Sequence, residues 1–317
     1  MQTKTITEGA MLAGVTVLLA VLGSVFSSVS LVLPVPLAIM VYRNGLRPGI
    51  IVSVTSALLS ALILRSVLVS FDIIAIGLVG IALGITLREK FNITQIVGLV
   101  TGSAIASMIL RAVSLSILFG TNIINVYTEV FDQTSEQWIK ILESTGFTPE
   151  FIAEYNESLI VLINVVKKLI PIGLVITAFA QAIIALIISR LILRRLGDEV
   201  PGLPPFRTWK WPWYFIWLFF LSVLLNTISG FLSLEILSVI GLNLISAFLV
   251  LFFIQGLAIV WFYFDKNAVP TFYRVLFIFL LFFPSTIGVF ILAIFGVLDL
   301  WFDFRNRNND PKKEELK

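Results

Sequence analysis

Five ionisable residues stand among long apolar runs and are the first candidates for chemistry. They are four cations and one carboxylate: Arg65, Asp72, Arg111, Lys167 and Lys168. An ionisable side chain inside a membrane span costs about 2.5–3.5 kcal/mol on insertion scales, so it marks a candidate functional site by default. An excess of cations over carboxylates suits a negatively charged ligand. The pattern therefore predicts a pocket for a small anionic solute.

A structural alternative explains the same residues without a ligand. Arg65 pairs with Asp72 across a tight turn, while Arg111 and the two lysines extend their charged ends to the membrane interface. The sequence leaves both interpretations open.

The composition restricts the chemistry further, because the chain has no histidine and no cysteine. Thiolate nucleophiles, disulfides and soft-metal clusters are therefore excluded, as is the commonest general base near neutral pH. We expect a protein that is not an enzyme and that has no metal site and no cofactor. An intramembrane enzyme that acts on lipid, with Asp72, Glu235 or Asp299 as its acid, is a weaker alternative.

The elements that must position these residues are membrane helices. Hydrophobic residues make up 58% of the chain, charged residues 13%, and the mean hydropathy is +1.03, whereas a soluble domain has about 25% charged residues. The pattern predicts an all-α polytopic bundle of about nine or ten spans. The runs, of which the second and fourth are short, lie at 9–31, 33–42, 49–69, 72–87, 95–119, 167–193, 213–232, 237–264 and 270–302.

The last run is interrupted at Pro284, which predicts either a kinked span or a hairpin. Basic residues flank it on both sides, including Lys266 and Arg274 before it and Arg305 and Arg307 after it. Because cations collect on the cytoplasmic side of a membrane, we favour the hairpin.

The same charge rule predicts the orientation of the chain. Cations at alternate loops place the amino terminus in the cytoplasm of a bacterium and the 121–160 loop outside its plasma membrane. That loop carries seven acidic residues and one lysine, and its apolar residues recur at near-helical spacing. We expect a helical pair on the outer surface or over the bundle as a lid, with Thr148 capping a short second helix that begins at Pro149.

A Pro- and Trp-rich segment at 197–212 predicts a cytoplasmic linker between two groups of spans. It separates a six-span bundle at 1–196 from carboxy-terminal helices at 213–304, and a charged tail follows at 305–317. Aromatic and charged residues near the predicted inner surface are typical of interfacial anchors. They are Trp209, Trp211, Trp213, Trp301, Asp303 and Arg305.

Hydrogen-bonding residues in the carboxy-terminal group predict contacts within the protein. Asp303 is close enough in sequence to pair with Arg305 or Arg307, and Asn243 and Gln255 are candidates for hydrogen bonds between helices.

The first helix carries two pairs of small residues four positions apart, Gly9 with Ala13 and Ala10 with Gly14. Small residues at this spacing allow a second helix to approach closely. The second helix belongs either to this chain, as internal packing, or to a partner subunit that docks here.

The chain resembles two known families, one in its amino-terminal segments and one over nearly its whole length. The small-residue first helix, the Leu33-Pro34-Val35-Pro36 segment and the Tyr42–Gly49 segment that opens the next helix resemble the S components of energy-coupling-factor vitamin transporters. Nearly the whole chain, with Gln255-Gly256 and the closing motif from Gly296 to Arg305, resembles the YybS-like membrane proteins of Gram-positive bacteria. Their function is not implied by the resemblance.

The first resemblance implies an outward-facing pocket for a small molecule and a first helix that docks a coupling subunit. This chain has no Walker loop, so ATP use would belong to separate ATPases. Our first hypothesis is thus a solute-binding component of an uptake system. The alternative is a non-transporting scaffold or envelope assembly factor.

Overall fold

The computed structural model describes residues 3–120, 123–232, 234–282 and 286–305, and the regular structure of these residues is helical throughout. Two short 3-10 helices occur at Ser27–Val32 and Phe206–Thr208. The α-helices are α1 (Thr3–Val25), α2 (Pro34–Asn44), α3 (Leu46–Leu64), α4 (Val67–Arg88), α5 (Ile93–Phe119), α6 (Ile123–Ser144), α7 (Pro149–Arg195), α8 (Phe215–Leu232), α9 (Glu235–Lys266), α10 (Thr271–Phe282) and α11 (Thr286–Phe302). The predicted all-α membrane bundle is confirmed.

Seven of the described helices are long and apolar enough to cross a membrane, and they are α1, α3, α4, α5, α7, α8 and α9. The second predicted span is short, as expected, because α2 has only 11 residues. The prediction of a short fourth span is wrong, since α4 has 22 residues and begins at Val67. Asp72 marked the start of that span in the sequence, but it lies inside the helix, where a cation from α5 binds its carboxylate.

Contacts divide the chain into two compact units, Met1–Leu203 and Pro204–Lys317. In the first unit, α2 is the central helix, and every residue from Pro34 to Val41 is buried. Glycines of α4 make this packing close. A Cβ at Gly80 would lie 2.7 Å from the Leu37 Cβ, and one at Gly84 would lie 2.6 Å from the Ala38 carbonyl oxygen. The absence of these Cβ atoms allows the two backbones to approach.

The predicted external segment is helical, but its second helix does not end before the membrane. Helix α7 runs for 47 residues through Pro171, which corresponds to about 70 Å of helix against a hydrocarbon core of about 30 Å. The expected short helix and the sixth span are therefore one helix, because a proline can be accommodated within a membrane helix. Its predicted cap is confirmed, since the Thr148 hydroxyl accepts a hydrogen bond from the Phe151 N–H at 3.4 Å.

In the second unit, α9 packs against both α8 and α11. Residues 270–302 form two helices, in agreement with the hairpin, although Pro284 itself lies outside the described residues. Arg274 near the start of α10 binds Asp265 near the end of α9. The Tyr263 hydroxyl, also near the end of α9, donates to the Phe304 carbonyl just after α11 at 3.1 Å. The chain therefore leaves this end of α9 through α10 and returns to it through α11.

Candidate functional site

The structure joins Asp72 to a neighbouring helix. The Arg111 Nε on α5 lies 2.7 Å from the Asp72 Oδ1 on α4, and both side chains are 41% exposed. The proposed pairing of Asp72 with Arg65 is wrong. Arg65 ends α3 with a left-handed backbone, at φ 52°, and among the described residues it has no carboxylate partner. The ion pair therefore connects α4 with α5.

The two lysines lie on α7, and Lys167 forms its ion pair with another helix. Its Nζ is 3.3 Å from the Asp132 Oδ1 on α6, at an exposed position. Four of the five candidate residues thus lie on three helices, α4, α5 and α7, and Arg65 follows the end of α3. Arg111 and Lys167 belong to separate ion pairs. Both pairs contain a carboxylate, so the positive charge available to an anionic solute is smaller than the sequence predicted.

The small residues of α1 divide into two faces. Gly9 and Ala13 are buried, and a Cβ at Gly9 would meet the Met40 Cε and the Val52 Cγ2 at 3.3 Å. Ala10 and Gly14 are exposed, and a Cβ at Gly14 would meet nothing within 4 Å. The pair Gly9 and Ala13 therefore serves packing within the chain, whereas Ala10 and Gly14 leave an open face.

A groove follows these small residues between α1 and α3. It has a volume of about 200 Å³ and apolar walls. Its lining residues are Thr5, Ile6, Gly9, Ala10, Ala13, Met40, Pro48, Ile51, Val52 and Thr55. We name this feature the α1–α3 groove. A groove with small residues on its floor and aliphatic residues on its walls has the form that accepts a ridge of side chains from another membrane helix.

The carboxy-terminal unit holds a buried polar network that the sequence did not predict. Asp299 is 0% exposed and Arg305 is 7% exposed. The Arg305 Nη2 lies 2.8 Å from the Asp299 Oδ2, and the Gln255 Nε2 donates to the same oxygen at 3.0 Å. The Phe304 N–H donates to the Asp299 Oδ1 at 3.0 Å. Both carboxylate oxygens are therefore bound, which argues against Asp299 as a catalytic acid.

The same network holds the segment that precedes α8. The second guanidinium nitrogen of Arg305, Nη1, donates to the carbonyl oxygens of Arg207 at 2.9 Å and Trp209 at 2.8 Å. The Gln255 Oε1 accepts from the Trp211 N–H at 3.1 Å. Gln255 thus makes the predicted contacts with other elements, and the described bonds of Asn243 include one to the Val239 carbonyl within α9.

The proposed interfacial residues occupy different environments. Trp213 and Trp301 are 65% and 56% exposed, while the indole of Trp211 donates to the Leu251 carbonyl oxygen at 2.8 Å. The indole of Trp209 donates to the Pro204 carbonyl oxygen at 3.1 Å.

The predicted pairing of Asp303 with Arg305 is wrong. Asp303 binds Lys210 at 3.0 Å, because its left-handed backbone, at φ 41°, turns the chain after α11. The alternative partner, Arg307, lies outside the described residues, as do Lys312 and Lys313 of the tail.

Two glycines bring α9 and α11 into the contact that makes this network possible. A Cβ at Gly256 would lie 1.9 Å from the Leu292 carbonyl oxygen, and one at Gly296 would lie 1.9 Å from the Phe252 carbonyl oxygen. No other residue type fits at either position without moving a backbone. The glycines and the polar residues of the closing motif therefore form one packing unit.

Comparison with known proteins shows that the chain is similar to predicted membrane proteins. A family model described as "Predicted membrane protein (DUF2232)" matches residues 10–300. The chain is 26% identical over 322 residues to a Bacillus subtilis (strain 168) protein described as "Uncharacterized protein YybS", and the match covers 96% of this chain and 99% of that protein. No solved structure matches the chain.

Proposed function

The chain belongs to the DUF2232 family of predicted membrane proteins, and from that premise we propose that it is a non-catalytic, solute-binding subunit of a bacterial plasma-membrane uptake system. It binds a small anionic solute on the outer side and docks a membrane coupling subunit whose energy comes from separate ATPases. The observation that carries the proposal is the α1–α3 groove, with its floor of small residues.

The groove supports docking because its open side is built from residues that the fold does not use. Ala10 on α1 lines the groove and is exposed, and Ile51 on α3 lines it and is 53% exposed. Close contact between backbones is the main source of helix association in lipid, where apolar burial alone gives little driving force. A partner helix that packs here gains that contact without any rearrangement of the bundle.

A bulky side chain in the groove tests the docking role. Ala10→Trp fills the floor, and we expect it to abolish photo-crosslinking of the coupling subunit and co-purification of its ATPases. Met11→Trp is the matched control, because Met11 is the adjacent residue, is 62% exposed and does not line the groove. Equal recovery of the coupling subunit with both variants would remove the docking role.

The solute site is tested separately. Arg111→Ala removes the cation that binds Asp72, and Arg65→Ala removes the candidate cation that follows α3. We expect each to reduce the amount of small molecule that mass spectrometry detects on gently purified protein, and the double variant to reduce it further. Lys140→Ala, an exposed cation outside the candidate set, is the control. Unchanged retention in the double variant would discard the pocket.

A second candidate function rests on α6 and the first half of α7. This helical pair leaves large apolar side chains exposed, among them Val130 at 54%, Trp138 at 53% and Ile141 at 48%. Exposed apolar residues on such a pair favour contact with another protein, so the alternative is a scaffold or envelope assembly factor. Trp138→Ser with Ile141→Ser would then remove cross-links to envelope enzymes, whereas an uptake subunit would keep its ATPases.

A further inference from the structure

An apolar cleft lies along α9 in the second unit. It has a volume of about 310 Å³, at the lower end of the range for small-molecule pockets. The Tyr263 hydroxyl on its wall is already engaged by the Phe304 carbonyl at 3.1 Å, so the interior suits an apolar group. The lining residues are Gly256, Ile259, Val260, Tyr263, Phe264, Phe295 and Phe304. We name this feature the α9 cleft.

The length of the cleft matches one leaflet of a membrane. Gly256 and Phe264 are eight residues apart on α9, which is about 12 Å of helix. Lys266 follows in the last turn, about 15 Å from Gly256 and thus at half the thickness of a hydrocarbon core of about 30 Å. A cleft of this length is long enough for an acyl chain whose polar end would reach the level of Lys266.

A cation stands at the polar end of the cleft. Lys266 follows Tyr263 by three residues and Ile259 by seven, so the three side chains share one side of α9. The first two line the cleft, and Lys266 is exposed. The ammonium group is therefore placed where the headgroup of a bound lipid would be.

The surroundings of this helix end are also rich in positive charge. Arg207 and Arg274 both bind the carboxylate of Asp265. The three side chains together therefore carry a net positive charge. Arg207 is 50% exposed. Clusters of basic residues at the end of membrane helices attract anionic lipids, and basic pockets between such helices bind their headgroups.

We propose that the α9 cleft is a binding site for an anionic phospholipid. An acyl chain lies between Val260 and Phe295, and the phosphate lies beside the Lys266 ammonium. The site is independent of the solute pocket and of the α1–α3 groove, because its residues all belong to the second unit.

The test is native mass spectrometry of the full chain in detergent, titrated with phosphatidylglycerol and, separately, with phosphatidylcholine of the same chain length. We expect preferential binding of phosphatidylglycerol. Lys266→Gln should weaken that binding about fivefold, the contribution of one basic side chain near an anionic surface, and leave phosphatidylcholine unchanged. Lys90→Gln, at an exposed lysine just after the end of α4, is the matched control and should bind both lipids as the wild-type protein does.

Val260→Trp tests the apolar part of the site by filling it. We expect this variant to lose binding of both lipids at least as strongly as Lys266→Gln loses phosphatidylglycerol, with thermal unfolding used to confirm that it is folded. Equal affinity for the two lipids would indicate general solvation by lipid. Displacement of phosphatidylglycerol by millimolar inorganic phosphate would indicate a site for free anions. Either result, or full binding by folded Val260→Trp, would overturn the proposal.

Discussion

The buried ion pair of Asp299 and Arg305 is stable only because each charge has a partner. Both charges are removed from water, and their hydrogen bonds to Gln255 and to backbone groups satisfy the remaining atoms. Removing one member of such a pair leaves an uncompensated charge. The motif was visible in the sequence, but the partner of Arg305 was not, because the turn after α11 directs Asp303 to Lys210 instead.

Arg305→Ala is expected to lower the free energy of unfolding by about 3–5 kcal/mol, because it strands the Asp299 carboxylate in the interior. Thermal and denaturant unfolding in detergent measure the change. Arg207→Ala removes a half-exposed guanidinium from the same end of the unit and should cost less than about 1 kcal/mol.

Adding Asp299→Asn to Arg305→Ala should recover part of the loss, because the amide carries no charge to strand. A double variant no more stable than Arg305→Ala would contradict the ion-pair explanation.

At the scale of elements, glycine positions decide which helices touch. The sequence indicated a close helix contact at α1, but only two of its four small residues, Gly9 and Ala13, pack within the chain. Helix α4 packs closely in the first unit, because its Gly77, Gly80 and Gly84 face α2 and α3. Their spacing of three and four residues was present in the sequence as a signal for a helix contact. It did not reveal which helix would be the neighbour, since that depends on the whole bundle.

Gly80→Ala and Gly102→Ala make the same chemical change in two environments. A Cβ at position 80 would lie 2.7 Å from the Pro34 carbonyl oxygen, whereas one at position 102 would meet nothing within 4 Å. We expect Gly80→Ala to destabilise the protein by about 1–3 kcal/mol through overpacking. Gly102→Ala should be neutral or stabilising by up to about 1 kcal/mol, because alanine favours helix. Equal effects on unfolding would contradict the packing described for α4.

At the scale of the whole molecule, the all-α fold and most of the membrane spans could be predicted from the sequence, because the protein lies in lipid. A chain in hydrocarbon must satisfy its backbone hydrogen bonds within each segment, so apolar runs become helices. Prediction failed where tertiary contacts override local signals. Asp72 does not begin a helix, since α4 begins at Val67, and Arg111, 39 residues away, binds Asp72 within α4. The short helix expected to begin at Pro149 did not end before the sixth span, and α7 continues through Pro171. No local pattern carries that information.

The predicted orientation rests on charge and can be measured directly, because the chain has no native cysteine. We expect an impermeant maleimide to label Glu136→Cys in intact cells, since the charge rule predicts that the acidic segment faces outward. Arg195→Cys should react only after the membrane is opened, because basic helix ends stay in the cytoplasm. The opposite labelling pattern would invert the topology and, with it, the outward solute pocket.

The continuity of α7 has a mechanical consequence. A rod that pivots within a membrane moves its two ends in opposite directions, so a contact that tilted α7 at its Thr148 end would displace its Arg195 end as well. The hydrogen-bond ladder of this rod lacks a donor at Pro171, which sets the point at which such a lever would bend. Binding at one membrane surface could in this way move residues at the other surface without any ion or solute crossing.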